Sequence, residues 1–149
     1  MTTIAPPTNN AETRQKFSGT AVRVFFRLAE AWKLSTEEQM ELLGSIGRST
    51  LFDWKRSPKS VVLSTDQFAR VSYLLGCYEA LQRIWRRTPD EAGSWLRRPK
   101  AEHPFLEHAP LDFMVRGGIP ALAAVRAYLD STVGGPPSRE WYVEPSREG

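Results

Sequence analysis

The chain has 149 residues, 41% hydrophobic and 25% charged, the balance of a soluble globular protein with room for one compact domain or two small ones. Its one cysteine, Cys77, excludes an internal disulfide and a cysteine metal cluster, and no apolar run approaches the roughly 18 residues of a membrane span. The formal charge of +3 lies wholly in residues 1–60, which hold nine Lys/Arg against six Asp/Glu; residues 61–149 hold eleven of each. Such an excess suits contact with nucleic-acid phosphates, though it also suits a solvated surface.

The first stretch, "MTTIAPPTNNAETRQ", has no basic-then-apolar signal pattern, so a cytoplasmic location is expected. Residues 1–12 are polar, with Pro6-Pro7 and Asn9-Asn10, and are read as disordered. From about Arg14 to Leu34 the residues Phe17, Ala21, Val24, Phe25, Leu28 and Trp32 keep the spacing of one helical face. Ser35 and Glu38 form a capping box for a second helix through "TEEQMELLG", with Met40, Leu42 and Leu43 on its apolar side. Gly44 ends it in a left-handed turn. After "GSIG" a short helix begins at Arg48 or Ser49 and stops at Pro58, with Leu51 and Trp54 facing inward.

Ser64 and Gln67 make a second capping box and start a long helix reaching Trp85 or Arg87. Its apolar surface is wide, with Phe68, Val71, Leu75 and Tyr78 in one stripe and Leu74, Leu81 and Ile84 in the next. That width predicts burial on more than one side, as a central core helix, with part of it suited to a dimer interface. Thr88-Pro89-Asp90-Glu91 is a helix start with a threonine N-cap, a proline at the first helical position and acids in the first turn. The helix carries Ala92, Trp95 and Leu96 and ends before Pro99. Beyond the loop "KAEHPFLEHA", helices are expected at about 110–116 and 119–131, separated by Gly117-Gly118. "GGPP" stops the last, and the tail with Trp141 and Tyr142 is expected to be flexible. The only β-branched run is Val61-Val62, so the fold class is all-α.

Little here suggests catalysis. Gly117-Gly118 lacks the pattern of a phosphate-binding loop and reads as a helix cap that turns the chain between two packed helices. His103 and His108 share no helix face and match no zinc spacing. Asp112 is a first-turn helix acid, and Cys77, mid-helix among apolar residues, reads as a buried small hydrophobe. No nucleophile has a base beside it. The chain is therefore read as a non-enzyme without cofactor or metal.

Residues 36–56 carry more information. Two short helices across a tight glycine turn make a helix-turn-helix pattern, in which the second helix enters the major groove. Arg48 suits a bidentate contact to guanine, Ser49 and Thr50 suit contacts to bases or phosphates, and Asp53 is carried on the same helix among the DNA-binding candidates. Lys55, Arg56 and Lys59 supply phosphate neutralisation. The alternative is an ordinary helical hairpin with solvated charges.

The order of these pieces resembles the Xre/MbcA/ParS family of antitoxins over about residues 20–133. The residues that carry the resemblance are Leu42-Leu43-Gly44, Trp54, Arg70 with Leu74-Leu75-Gly76, Trp95-Leu96 with Pro99, and Pro110-Leu111-Asp112 followed by Gly117-Gly118. The resemblance implies an Xre-like helix-turn-helix domain followed by a small helical toxin-binding domain. On this chain that gives a DNA-binding region at 13–63, a connecting or dimerisation helix at 64–87, a toxin-binding domain at 88–133 and a tail at 134–149. Family partners are RES-domain toxins that consume NAD⁺, either degrading it or transferring its ADP-ribose to a protein. The antitoxin blocks the toxin's active-site cleft, is commonly a homodimer within a larger complex, and often represses its own operon by binding operator DNA. The chain departs from the family in the loop before Pro110, where Phe105 and Leu106 replace a small, glycine-containing stretch.

The expected toxin contacts are Gly117 and Gly118, which let another backbone approach, and Leu122, Val125 and Leu129 on one face of helix 119–131. Arg126 is suited to an anionic group, and Arg139, Trp141 and Tyr142 are suited to a concave site. A second reading is a free-standing transcriptional regulator whose C-terminal part serves dimerisation or ligand sensing. No membrane partner is expected.

Overall fold

The computed structural model describes residues 9–133. Among them are six α-helices and one 3₁₀ turn, and the one β-type pairing is a lone bridge between Lys100 and His108. The all-α expectation holds.

Helix α1 (Ala11–Ala31) starts earlier than expected because the Asn10 side chain accepts a hydrogen bond from the Thr13 amide at 2.8 Å. Residues 10–12 thus belong to a capped helix, which corrects the disorder expected for 1–12 over its described part. The buried stripe is also shifted: Ser18, Val22, Phe25, Leu28, Ala29 and Trp32 face the core, while Phe17 is 41% exposed. Ser18 marks the shift. Its hydroxyl donates to the Arg14 carbonyl and accepts the Leu63 amide proton at 2.9 Å, so a polar residue occupies a core position with its hydrogen bonds made.

Both capping boxes form as expected, Ser35 with Glu38 at the start of α2 (Thr36–Leu42) and Ser64 with Gln67 at the start of α4 (Thr65–Ile84). Gly44 turns the chain at φ 97° after α2. Helix α3 (Arg48–Arg56) follows Gly47 and buries Leu51, and Trp54 packs half-buried against the core. The 3₁₀ turn Pro58–Ser60 then leads back along α1.

Helix α4 is covered by α1 and by the C-terminal helix. Phe68, Val71, Leu74, Cys77, Ala80, Leu81 and Ile84 are all buried, which is why the sequence shows a wide apolar surface rather than one stripe. Helix α5 (Asp90–Arg97) departs from its expected start. Thr88 makes no side-chain cap; its backbone carbonyl accepts from the Glu91 amide at 2.9 Å, and Pro89 already has helical angles (φ −58°, ψ −28°). The fixed φ of proline makes the threonine hydroxyl dispensable here. Arg97 ends this helix and ties it to the first half of the chain. Its Nη2 donates to the carbonyls of Trp32 (3.2 Å) and Lys33 (2.9 Å) and pairs with Glu38, capping the C-terminus of α1 with a cation.

The loop after α5 is held by its own contents. Phe105 is fully buried, with ring centroids 5.8 Å from Trp95, 5.9 Å from Phe113 and 5.0 Å from Tyr128. The Tyr128 hydroxyl donates to Glu102 Oε2 at 3.2 Å; burial and that carboxylate push its pKa up to about 12. Leu106, by contrast, is 59% exposed.

Helix α6 (Pro110–Val133) is two helices meeting at Gly118, whose backbone is non-helical (φ 67°, ψ −152°). L-residues with a Cβ essentially do not occupy this region. At Gly117 a Cβ would stand 2.5 Å from the Ala121 Cβ. The buried side chains of all six helices form one continuous core from Val22 to Leu129.

Two substitutions test this packing by chemical unfolding. Phe105→Ala removes the centre of the aromatic cluster and is expected to cost about 3–5 kcal/mol. Gly118→Ala is expected to cost about 1–3 kcal/mol through backbone strain alone; unchanged stability would mean that the kink relaxes without glycine.

Candidate functional site

The exposed face of α3 gathers the residues expected to meet DNA. Arg48, Ser49, Asp53, Lys55 and Arg56 are exposed and Thr50 is half-buried. Two of the cations are already engaged: Arg48 Nη2 lies 2.9 Å from Glu37 Oε2, and Arg56 pairs with Asp53. The Glu37 carboxyl is held below its ordinary value by its backbone hydrogen bond and then by Arg48. Lys55 lies over the Phe26 ring, its Nζ 5.6 Å from the centroid. Sequence reasoning missed Phe52, which stands 44% exposed in the middle of this face. An exposed phenyl ring on a groove-reading helix suits contact with a thymine methyl. The signal was present, since Phe52 follows the core residue Leu51 and so points away from it.

The second surface surrounds the kink in α6. Gly117 is exposed and Gly118 half-buried. Beyond the kink the outward positions are Pro120, Ala123, Ala124, Ala127 and Asp130, a low-relief face. Leu122, Val125 and Leu129 are on the opposite side, each 0% exposed. Their expected role as toxin contacts is corrected: the apolar stripe of this helix is spent on the chain's own core against α4. Arg126 stays partly exposed but is engaged within the chain. Its Nε donates to Asp130 Oδ2 at 2.8 Å, and its guanidinium lies across Gly76, where a Cβ would come within 1.7 Å of Nη1. Arg139, Trp141 and Tyr142 lie outside the described residues.

Arg70 links the two surfaces. Its Nε donates to Asp66 Oδ2 at 2.7 Å. A Cβ on Gly44 would stand 3.3 Å from that nitrogen, and one on Gly118 would stand 3.8 Å from Nη2. One half-buried guanidinium thus sits between the turn of the helix-turn-helix and the kink of α6. Sequence spacing could not show this, because the three residues lie far apart along the chain.

The chemistry of the remaining candidates is modest. Cys77 is fully buried, and burial pushes its thiol up to about 12, far from a reactive thiolate. Among the described residues, no group of three His, Cys, Asp or Glu could hold a metal ion. No helix among them is long and apolar enough to cross a membrane.

Comparison with known proteins assigns both halves of the chain to known domain families. Residues 18–76 match the family model of the antitoxin Xre-like helix-turn-helix domain, and residues 80–135 match that of the antitoxin Xre/MbcA/ParS C-terminal toxin-binding domain. Neither is an enzymatic domain family. The chain is also 40% identical over 115 residues to the uncharacterized protein y4oB of Sinorhizobium fredii, covering 76% of this chain and 84% of that protein. The second match gives the C-terminal part a toxin partner, which the reading as a free-standing regulator lacked. The chain belongs to the Xre/MbcA/ParS family of antitoxins, and joins the helix-turn-helix and toxin-binding domains of a toxin–antitoxin antitoxin.

Proposed function

We propose that this antitoxin neutralises a RES-domain toxin that consumes NAD⁺, by covering its active-site cleft, and that as a homodimer it represses its own operon through α2 and α3. The observation that carries the first half is the exposed kink of α6 and the low-relief face beyond it, within the segment that matches a toxin-binding domain. Small side chains there let a partner backbone approach closely. Trp141 and Tyr142 supply the aromatic anchors that most often carry interface energy. The reading as a repressor is supported by the exposed polar and cationic side chains of α3 and by the excess positive charge of residues 1–60.

Co-expression with the product of the adjacent gene tests the first half. That product is expected to deplete NAD⁺ or ADP-ribosylate a protein when alone and to co-purify inactive with the full-length antitoxin. Deleting residues 134–149 is expected to weaken the rescue; full rescue by the truncated chain removes the tail from the interface. An adjacent product that is harmless alone, with no toxin captured from the native host, refutes the RES reading.

A gel shift on the upstream DNA tests the second half. Arg48→Ala is expected to cost about 1–3 kcal/mol and to relax specificity at one base pair, whereas Lys55→Ala weakens binding to all sequences alike. If neither substitution changes affinity, the helix-turn-helix is a structural unit only.

A further inference from the structure

Helix α1 and the 3₁₀ turn meet at Gly19. A Cβ there would stand 3.2 Å from the Pro58 carbonyl oxygen and 3.4 Å from the Lys59 Cα, so a side chain at this position would press the turn away. One residue earlier, the buried Ser18 hydroxyl holds the Leu63 amide at 2.9 Å. These two contacts fix residues 58–63 along α1, and about one turn further on they place Arg23 beside the turn. Arg23, Arg56, Ser57, Pro58, Lys59 and Ser60 line one open depression of about 480 Å³.

Three cations therefore share one notch. Asp53 offsets Arg56, but Arg23 and Lys59 carry no ion pair among the described residues. Exposed cations around one depression raise the local positive potential and favour an anion there. The notch also continues the exposed face of α3, since Arg56 is the last residue of α3 and Lys55 precedes it.

We propose that this notch is a phosphodiester-binding site that takes a backbone phosphate flanking the groove entered by α3, with Arg23 and Lys59 as its principal cations. It rests on the reading of α3 as a DNA-contacting helix. A duplex presents evenly spaced anions, so the notch and Lys55 engage the same backbone while the middle of α3 faces the bases. Arg23 and Lys59 thereby supply sequence-independent affinity that the ion-paired cations of α3 do not.

The test uses the full-length chain and two duplexes of equal length, one from immediately upstream of its own coding region and one of random sequence, titrated over a range of salt. Arg23→Gln and Lys59→Gln are each expected to weaken both duplexes by roughly three- to tenfold and to lower the slope of log affinity against log salt by about one. Arg83→Gln, at the far end of α4, is expected to leave both quantities unchanged, and circular dichroism is expected to show the same helicity for all three variants. Wild-type affinity and slope in the Arg23 and Lys59 variants would overturn the notch while leaving DNA binding intact. Weakening of the upstream duplex alone would make these residues base readers and also overturn it. Failure of the wild type to bind either duplex would remove both the DNA reading and the notch.

Discussion

The structure depends on the burial of α4 between α1 and α6. Its seven buried side chains run along most of its length, and the Phe, Val, Leu and Ile among them each contribute on the order of 1.5–3 kcal/mol of transfer free energy before the entropy of ordering is subtracted. The crossing with α6 is close because Gly76 has no side chain: the Arg126 guanidinium occupies the space a Cβ would need and is steadied there by Asp130. Helix α4 packs against both α1 and α6, so its side chains join the two parts of the core. Arg97 reinforces the union by capping α1 from α5. The two proposed surfaces share one core, so a ligand that binds only the folded chain at either surface stabilises the core that holds the other.

The α3 face shows how such a surface stays ready. The Arg48–Glu37 pair is more than half exposed on both sides, and water and salt screen such exposed pairs until they contribute little. Glu37 lies in the first turn of α2 and keeps its backbone hydrogen bond without Arg48. Exchange of Arg48 from that carboxylate to a guanine edge thus leaves no buried charge behind. Asp53 is different. It offsets Arg56 within the chain but would repel a phosphate, so net attraction must come from the edges of the face rather than its middle.

Much of the fold was legible in the sequence because it depends on local chemistry. Both capping boxes, the Gly44 turn, the wide apolar surface of α4 and the break in α6 follow from neighbouring residues, and all are present. What was misread depended on distant partners. Ser18 is core only because the Leu63 amide reaches it, and this moved the α1 stripe away from Phe17. Leu122, Val125 and Leu129 form an apolar stripe whether they face a toxin or α4, and periodicity does not distinguish the two. Arg126 looked free until Gly76 was seen beneath it. Phe105, in the loop before Pro110, proved to be the plug of an aromatic cluster formed by three separate segments.

That misreading changes how a toxin must be recognised. With the leucines of α6 committed to the core, the chain presents Gly117, Pro120, Ala123, Ala124 and Ala127 on that helix instead. Such a face admits close backbone approach but offers little area per residue and no deep knob for a pocket. Interface energy usually concentrates in a few aromatic or arginine side chains surrounded by contacts that exclude water. The α6 face suits the surrounding role. Arg116 at its edge is paired with Asp112 at 3.0 Å, so it is a poor anchor unless that pair opens. An anchoring role is thus left to residues off the helix, and Trp141 and Tyr142 are the ones proposed for it.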